Sequence, residues 1–211
     1  MNEHHRGIAL LCGVAPSLAE RIANALGAYG VEARALVDGD DSPPGLPQLA
    51  ANLRDPESIE AALASLDHPL KALINHRAQP LVIPSLHGQP LLRDVAYAPY
   101  ELYRAAIRHM PAGGNIVSLF GDTGPTPEPQ ALTLPALKKV TQDLQSQVGA
   151  AGVCMNGVSV RYVAGVSEQV RERILEARIA MIADLAQTDS REIDGEFLRG
   201  YMSEMLEEGR D

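Results

Sequence analysis

The fold of this chain is decided by residues 7–38, which read GIALLCGVAPSLAERIANALGAYGVEARALVD. The apolar run GIALLC ends at Gly13 and predicts a buried strand followed by a turn. The next residues place apolar side chains on one face of a helix, at Leu18, Ile22, Ala25 and Leu26. Gly27 and Gly30 end this helix, and the run VEARALV predicts a second strand that ends at Asp38.

The same alternation of strands and helices continues along the chain. Strands are predicted at residues 70–74, 115–120 and 153–163, and helices at 56–66, 100–110, 135–148 and 165–183. Such alternation implies right-handed crossovers and a parallel sheet with helices on both faces. We therefore predict a Rossmann-like, doubly wound α/β fold. Its ligands should bind at the carboxyl ends of the strands, where Gly13, Asp38, Asn75 and Gly121 fall.

The composition limits the functions open to the chain. Its 211 residues predict one domain, 1–211, with a polar start at 1–6 and an acidic tail at 203–211. A net charge of -9, with no basic cluster longer than Lys138-Lys139, argues against a nucleic-acid partner. No apolar run reaches the ~18 residues of a membrane span and no signal peptide is visible, so a cytoplasmic location is expected. Cys12 and Cys154 lie in apolar runs and are predicted to be buried thiols, and no metal site is predicted.

Six segments, taken in order, carry a resemblance to a known family. They are ALLCGVAPSLAERIANAL, LRDPESIEAAL, LKALINHRA, GGNIVSL, CMNGVSVRYVAG and DLAQTDSREIDGEFLRG. This succession resembles the short-chain dehydrogenase/reductase family. The resemblance implies about seven strands in the order 3-2-1-4-5-6-7 and NAD(P)-dependent oxidoreduction. It also implies a homodimer through helices 100–110 and 135–148, which can pair further into a tetramer.

The turn that holds the cofactor in this family is altered here. The family has Thr-Gly-x-x-x-Gly-x-Gly, whose glycines let the backbone approach a pyrophosphate at the helix N-terminus. In this chain the first glycine is Gly13, the second is replaced by Ser17 and the third by Ala19, while Pro16 removes an amide donor. We therefore expect no dinucleotide binding or weak binding. If one binds, Asp38 would favour NAD over NADP, although a solvated turn residue explains Asp38 equally well.

The tyrosine of the family's chemistry has no counterpart. That chemistry uses a tyrosine as proton donor or acceptor, a lysine four residues later, a serine and an asparagine. No tyrosine lies between Tyr103 and Tyr162. Alignment of the helix at 135–148 places the family lysine on Lys138 and the tyrosine on Leu134. Lys138 is the one match to the four side chains, and a solvated helix face accounts for it as well.

The serine and asparagine positions are also replaced. The serine falls on Gly121 or Phe120, and the asparagine falls on Val95 or Ala96. Of the family's Asn-Asn-Ala-Gly motif only the first residue is matched, by Asn75, which we assign to cofactor binding with Gly13, Ser17, Ala19 and Asp38. Loss of a positioned general acid costs about 10²–10⁴-fold in rate, so little family-type carbonyl reduction should remain.

Three functions follow from this pattern. The leading hypothesis is a catalytically degenerate homodimer that acts as a binding, scaffolding or regulatory partner. The first alternative is an NAD(P)-dependent oxidoreductase in which Lys138 works with His76 or Tyr162 as the acid. The second alternative is a regulator that responds to a nucleotide without turnover.

Two further groups of side chains allow more than one interpretation. His76 and Arg77 follow a strand, where they form either an anion-binding pair or a polar loop. Tyr97, Tyr100 and Tyr103 lie along the start of one helix, where they favour an interface over internal packing.

Overall fold

The computed structural model describes residues 7–38, 45–76, 98–120, 142–144, 146–160, 163, 165–187 and 197–198. They form one parallel sheet of seven strands in the order β3-β2-β1-β4-β5-β6-β7. The strands are β1 Ile8–Cys12, β2 Glu32–Val37, β3 Gln48–Ala50, β4 Leu70–Asn75, β5 Asn115–Phe120, β6 Cys154–Ser159 and β7 Phe197–Leu198. The predicted fold class and strand order are therefore confirmed.

Helices cover both faces of this sheet. They are α1 Pro16–Gly27, α2 Pro56–Ala64, α3 Ala98–His109, α4 at residues 142–144 and 146–151, and α5 Glu168–Gln187. On one face α2, α3 and α4 pack over the sheet, and on the other α1 and α5 do so. The central strands have nearly continuous apolar sequences because they are buried from both sides.

The predicted strands and helices that fall on described residues are present, with boundaries that differ by a few residues. Of the helix predicted at 135–148, residues 135–141 and 145 lie outside the described residues. The strand predicted at 153–163 is described at Cys154–Ser159, and the helix predicted at 165–183 is α5, Glu168–Gln187. Strand β3 was not located from the sequence. It contains only three residues and is defined by pairing with β2 rather than by a pattern of its own. Cys12 and Cys154 are both buried, as predicted.

Local sequence explains where the helices begin. Pro16 opens α1 and Pro56 opens α2, because proline fits the first helical turn, where its missing amide has no helical partner. Asp55 caps α2 by accepting a hydrogen bond from the Glu57 amide at 3.1 Å. The cap residue of α1 is Ala15, whose methyl side chain cannot accept a hydrogen bond. None of the described helices combines the length and apolar character that a membrane span needs.

Candidate functional site at the carboxyl edge of the sheet

The strand register brings most of the predicted site residues to one edge. Gly13 follows β1, Asp38 follows β2, and Asn75 and His76 close β4. The backbone N–H of His76 donates to the Cys12 carbonyl at 2.8 Å, so the ends of β1 and β4 are held side by side. This edge is where doubly wound folds bind their ligands.

The turn after β1 keeps part of a phosphate-binding geometry. Gly13 has φ +64, a left-handed conformation that side-chain-bearing residues adopt with strain, and it is exposed. Ala19 is fully buried, so a small residue is kept where α1 packs most closely on the sheet. These two residues fit the cradle of a dinucleotide.

The next residues of the turn fit a dinucleotide less well. Pro16 lacks an amide, and the Ala19 amide already donates to the Ala15 carbonyl at 2.8 Å. The amides of Ser17 and Leu18 are thus the first-turn donors left for an anion. The Ser17 side chain is exposed at this end of α1, at the position where the family has glycine. Compared with the family's turn, this turn keeps a left-handed glycine but has fewer free amide donors and less room for a phosphate.

A buried hydrogen-bonded group lies beneath the ends of β4 and β5. The Asn75 amide Nδ2 donates to the Tyr103 hydroxyl at 2.9 Å, and that hydroxyl lies 2.8 Å from Ser118 Oγ. Asn75 and Ser118 are register partners in neighbouring strands, and Tyr103 reaches them from α3. We call Asn75, Tyr103 and Ser118 the buried triad.

The buried triad contains the residue types of a reductase but has no opening to solvent. Tyr103 is 0% exposed, and Asn75 and Ser118 are each 2% exposed. Burial raises the pKa of the Tyr103 phenol, although its hydrogen bonds with Asn75 and Ser118 act in the opposite direction. The phenol therefore keeps its proton and is closed to a substrate. The interface interpretation of Tyr103 was wrong, because this side chain packs inside its own subunit.

Sequence reasoning did not find the buried triad as a unit. Asn75 was selected for cofactor binding, and the structure gives its amide an internal partner instead. Ser118 was not selected. The available signal was a polar residue in the middle of an apolar strand, opposite a tyrosine on the inward face of a helix. Such a residue needs an internal partner because a buried polar group without one is costly.

The surface predicted to pair two subunits is only partly described. On α3 the outward residues include Arg104 and Arg108, and Arg108 forms an ion pair with Glu60 of α2. His109 Nε2 lies 2.7 Å from the other Glu60 carboxylate oxygen. The outward residues described on α4 are polar or small: Gln142, Asp143, Ser146, Gln147, Gly149 and Ala150. The homodimer stays a prediction.

Several predicted site residues lie outside the described residues. These are Lys138, Leu134, Arg77, Tyr97, Gly121 and Tyr162. His76 is described and buried at the end of β4, so it is not an open polar loop residue.

The order of the seven parallel strands gives this chain the fold of one class of protein, the short-chain dehydrogenases/reductases. Solved structures of that class superpose on nearly the whole chain. A dehydrogenase/reductase from Sinorhizobium meliloti has a TM-score of 0.65 and 21% identity, covering 91% of this chain and 92% of that chain.

Two further structures of this class were solved with a nucleotide. A short-chain dehydrogenase from Burkholderia cenocepacia in complex with NADP has a TM-score of 0.65 and 22% identity, covering 93% of this chain and 97% of that one. An enoyl-acyl carrier protein reductase from Bacillus cereus with NADP+ and indole naphthyridinone has a TM-score of 0.67 and 19% identity, covering 94% and 96%. No family model and no curated protein matches the sequence.

Proposed function

We propose that the protein is a catalytically degenerate short-chain dehydrogenase/reductase homologue that acts as a binding, scaffolding or regulatory homodimer. One observation carries this proposal. The chain has no tyrosine between Tyr103 and Tyr162, and Tyr103 itself is sealed in the core by Asn75 and Ser118. Carbonyl reduction needs a proton donor in contact with the substrate, and a fully buried phenol does not meet that requirement.

The altered cradle supports weak or absent dinucleotide binding. Pro16 and Ser17 reduce the donors and the clearance that a pyrophosphate requires, while Gly13 keeps the turn open. Asp38 is exposed directly after β2, where its carboxylate would accept hydrogen bonds from a ribose 2′-OH and repel a 2′-phosphate. We therefore expect NAD to bind better than NADP if either binds, unlike the NADP complexes of the two similar structures.

A nucleotide-responsive regulator is the second candidate. It is favoured by the left-handed Gly13 and by the N-terminus of α1, which has no side-chain cap and still offers the Ser17 and Leu18 amides. An oxidoreductase with relocated residues, using Lys138 with His76 or Tyr162, is the alternative with turnover.

One titration separates these functions. Purified protein is titrated with NADH and with NADPH, and melting temperature and protein fluorescence are followed. A ligand that binds the folded state at 100 times its Kd adds about 2.7 kcal/mol of stability, so specific binding shifts the melting temperature. No shift with either nucleotide supports the scaffold, a shift without turnover supports the regulator, and turnover on a panel of carbonyl compounds contradicts degeneracy.

Two variants sharpen the titration. Asp38→Ala is expected to reduce any preference for NADH over NADPH, whereas Glu20→Ala removes an exposed carboxylate of α1 and should leave the preference unchanged. Lys138→Ala is the test of turnover, since only the relocated-residue enzyme loses activity in it. Sedimentation of the wild-type protein at several concentrations tests the homodimer, and a monomer at all of them would exclude it.

A further inference from the structure

The hydrogen bonding of the buried triad is incomplete among the described residues. Asn75 uses its amide nitrogen to donate to Tyr103, but no donor from the described chain reaches its Oδ1. This oxygen is buried, as is the whole Asn75 side chain, which is 2% exposed. A buried carbonyl oxygen of this kind normally has a protein or water partner.

The protons of the triad identify a second unmet group. The Tyr103 oxygen already accepts the Asn75 N–H, so its own proton has an acceptor only if it is donated to Ser118 Oγ. The Ser118 proton is then left over, and no second partner of this hydroxyl occurs in the described part of the chain. Among the described residues, the buried triad therefore has one acceptor, Asn75 Oδ1, and one donor, the Ser118 hydroxyl, that no protein group satisfies.

These two groups are neighbours in the same layer. Asn75 and Ser118 are register partners, and the residues on either side of them in that row are Cys12 and Gly157. Cysteine is small and glycine has no side chain, so the polar pair has a small residue on each side in the sheet. The site is thus polar and flanked by small residues, and a water there would have the two polar partners that a buried water needs.

We infer that a single water molecule is bound inside the protein between the ends of β4 and β5. The water donates one O–H to Asn75 Oδ1 and accepts the Ser118 O–H. If the oxygen and nitrogen of the Asn75 amide exchange places, Tyr103 donates to the amide oxygen and accepts from Ser118, and the water then accepts from the amide N–H and donates to Ser118 Oγ. The water makes two hydrogen bonds in both arrangements, one to the Asn75 amide and one to Ser118.

This water belongs to the scaffold and not to the candidate nucleotide cradle. It joins β4 to β5 at the level of Asn75, the last residue of β4. It would hold the two strand ends together with Tyr103, in a molecule with or without a bound nucleotide. The proposal therefore stands or falls independently of the function proposed above.

A high-resolution crystal structure tests the site directly. One ordered water within hydrogen-bond distance of both the Asn75 side-chain amide and Ser118 Oγ is expected. A dry layer there, or a protein donor on Asn75 Oδ1, would overturn the inference. A bound organic molecule in that position would do the same.

Solution measurement supplies the second test, using magnetic relaxation dispersion of water oxygen to count long-lived internal waters. Ser118→Ala removes one of the two anchors and is expected to lower the count by one. Ser65→Ala removes a hydroxyl that is already satisfied by the Ala62 carbonyl, at 2.7 Å, and should leave the count unchanged. Equal counts in the wild type and Ser118→Ala would contradict the site, and Asn75→Leu gives a second variant that should also lose one water.

Discussion

The end of β1 and the ends of β4 and β5 lie at the same edge of one sheet. Their polar residues differ, because those after β1 are exposed and those of β4 and β5 are buried. After β1, Gly13 and Ser17 are exposed, and the first turn of α1 has no side-chain cap. At β4 and β5, Asn75 and Ser118 are turned inward and bonded to Tyr103. Among the described residues, this edge is exposed at the turn after β1, which we call the open side, and is filled by internal hydrogen bonds at the buried triad, which we call the closed side.

The variant with the largest expected effect on stability removes Tyr103, the central side chain of the closed side. Tyr103→Ala deletes a fully buried ring and should lower the free energy of unfolding by about 3–5 kcal/mol. Tyr103→Phe keeps the ring and leaves the Asn75 amide and Ser118 hydroxyl without their partner, at a cost of about 1–3 kcal/mol. Both values come from urea unfolding curves.

An exposed tyrosine provides the matched control for that pair of variants. The Tyr29 hydroxyl donates to Asp184 at 2.6 Å on the surface, so Tyr29→Phe should lower the free energy of unfolding far less than Tyr103→Phe does. If Tyr103→Phe is as mild as Tyr29→Phe, the buried triad is not a stabilising network and the contrast between the two sides of the edge fails.

Alkaline pH should reduce the stability that Tyr103 contributes at the closed side. Burial raises the Tyr103 pKa above its ordinary value of about 10, so the folded protein favours the protonated phenol more than the unfolded chain does. The stability that this provides is complete below about pH 10 and is lost as the pH rises through the folded-state pKa. The stability difference between wild type and Tyr103→Phe should therefore stay constant up to about pH 10 and shrink as the pH rises above about 10, measured by urea unfolding at each pH. A difference that also stays constant above this pH would mean that Tyr103 does not ionise differently in the two states.

The open side was predictable from sequence because its signals are local. Residues 7–38 contain the apolar run, the glycine turn and the amphipathic helix in one continuous stretch, and each occurs as predicted. Gly13 was selected for a turn and has the left-handed φ that only glycine adopts freely. Ala19 replaces the family's third glycine and was assigned to cofactor binding; the structure shows it fully buried.

The closed side depends on contacts between distant residues, and a single sequence does not reveal them. Tyr103 and Ser118 come from a helix and a strand, and their partner Asn75 precedes Tyr103 by 28 positions. Pairing of β3 with β2 depends in the same way on register and not on composition. Arg178 is a similar case, because an arginine in a helix pattern reads as exposed, whereas this one is buried and its pKa is lowered by burial.

Replacement of the turn glycine tests whether the open side needs its backbone shape. Gly13→Ala forces a side chain into φ +64 and should cost about 1–2 kcal/mol of stability. Gly27→Ala is the matched control, since an added Cβ at Gly27 meets nothing within 4 Å and the residue ends α1 with helical geometry. That control should be neutral or gain up to about 1 kcal/mol, because glycine loses more entropy than alanine on folding. Equal effects of the two substitutions would show that the Gly13 conformation is not required.

The smallest expected effect is a gain at the open side. Ser17→Gly restores the clearance of a glycine in the first turn of α1, while Pro16 continues to withhold one amide, so dinucleotide affinity should rise about fivefold, or ~1 kcal/mol. Ser167→Gly is the control, because Ser167 stands at the start of α5 and accepts from the Val170 amide at 3.3 Å, away from β1. The measurement is titration with NADH, with urea unfolding used to subtract any loss of helix stability caused by the new glycine. Unchanged NADH affinity in Ser17→Gly, with the fold intact, would mean that the serine does not limit binding. Pro16 would then be the replaced residue of this turn that limits binding.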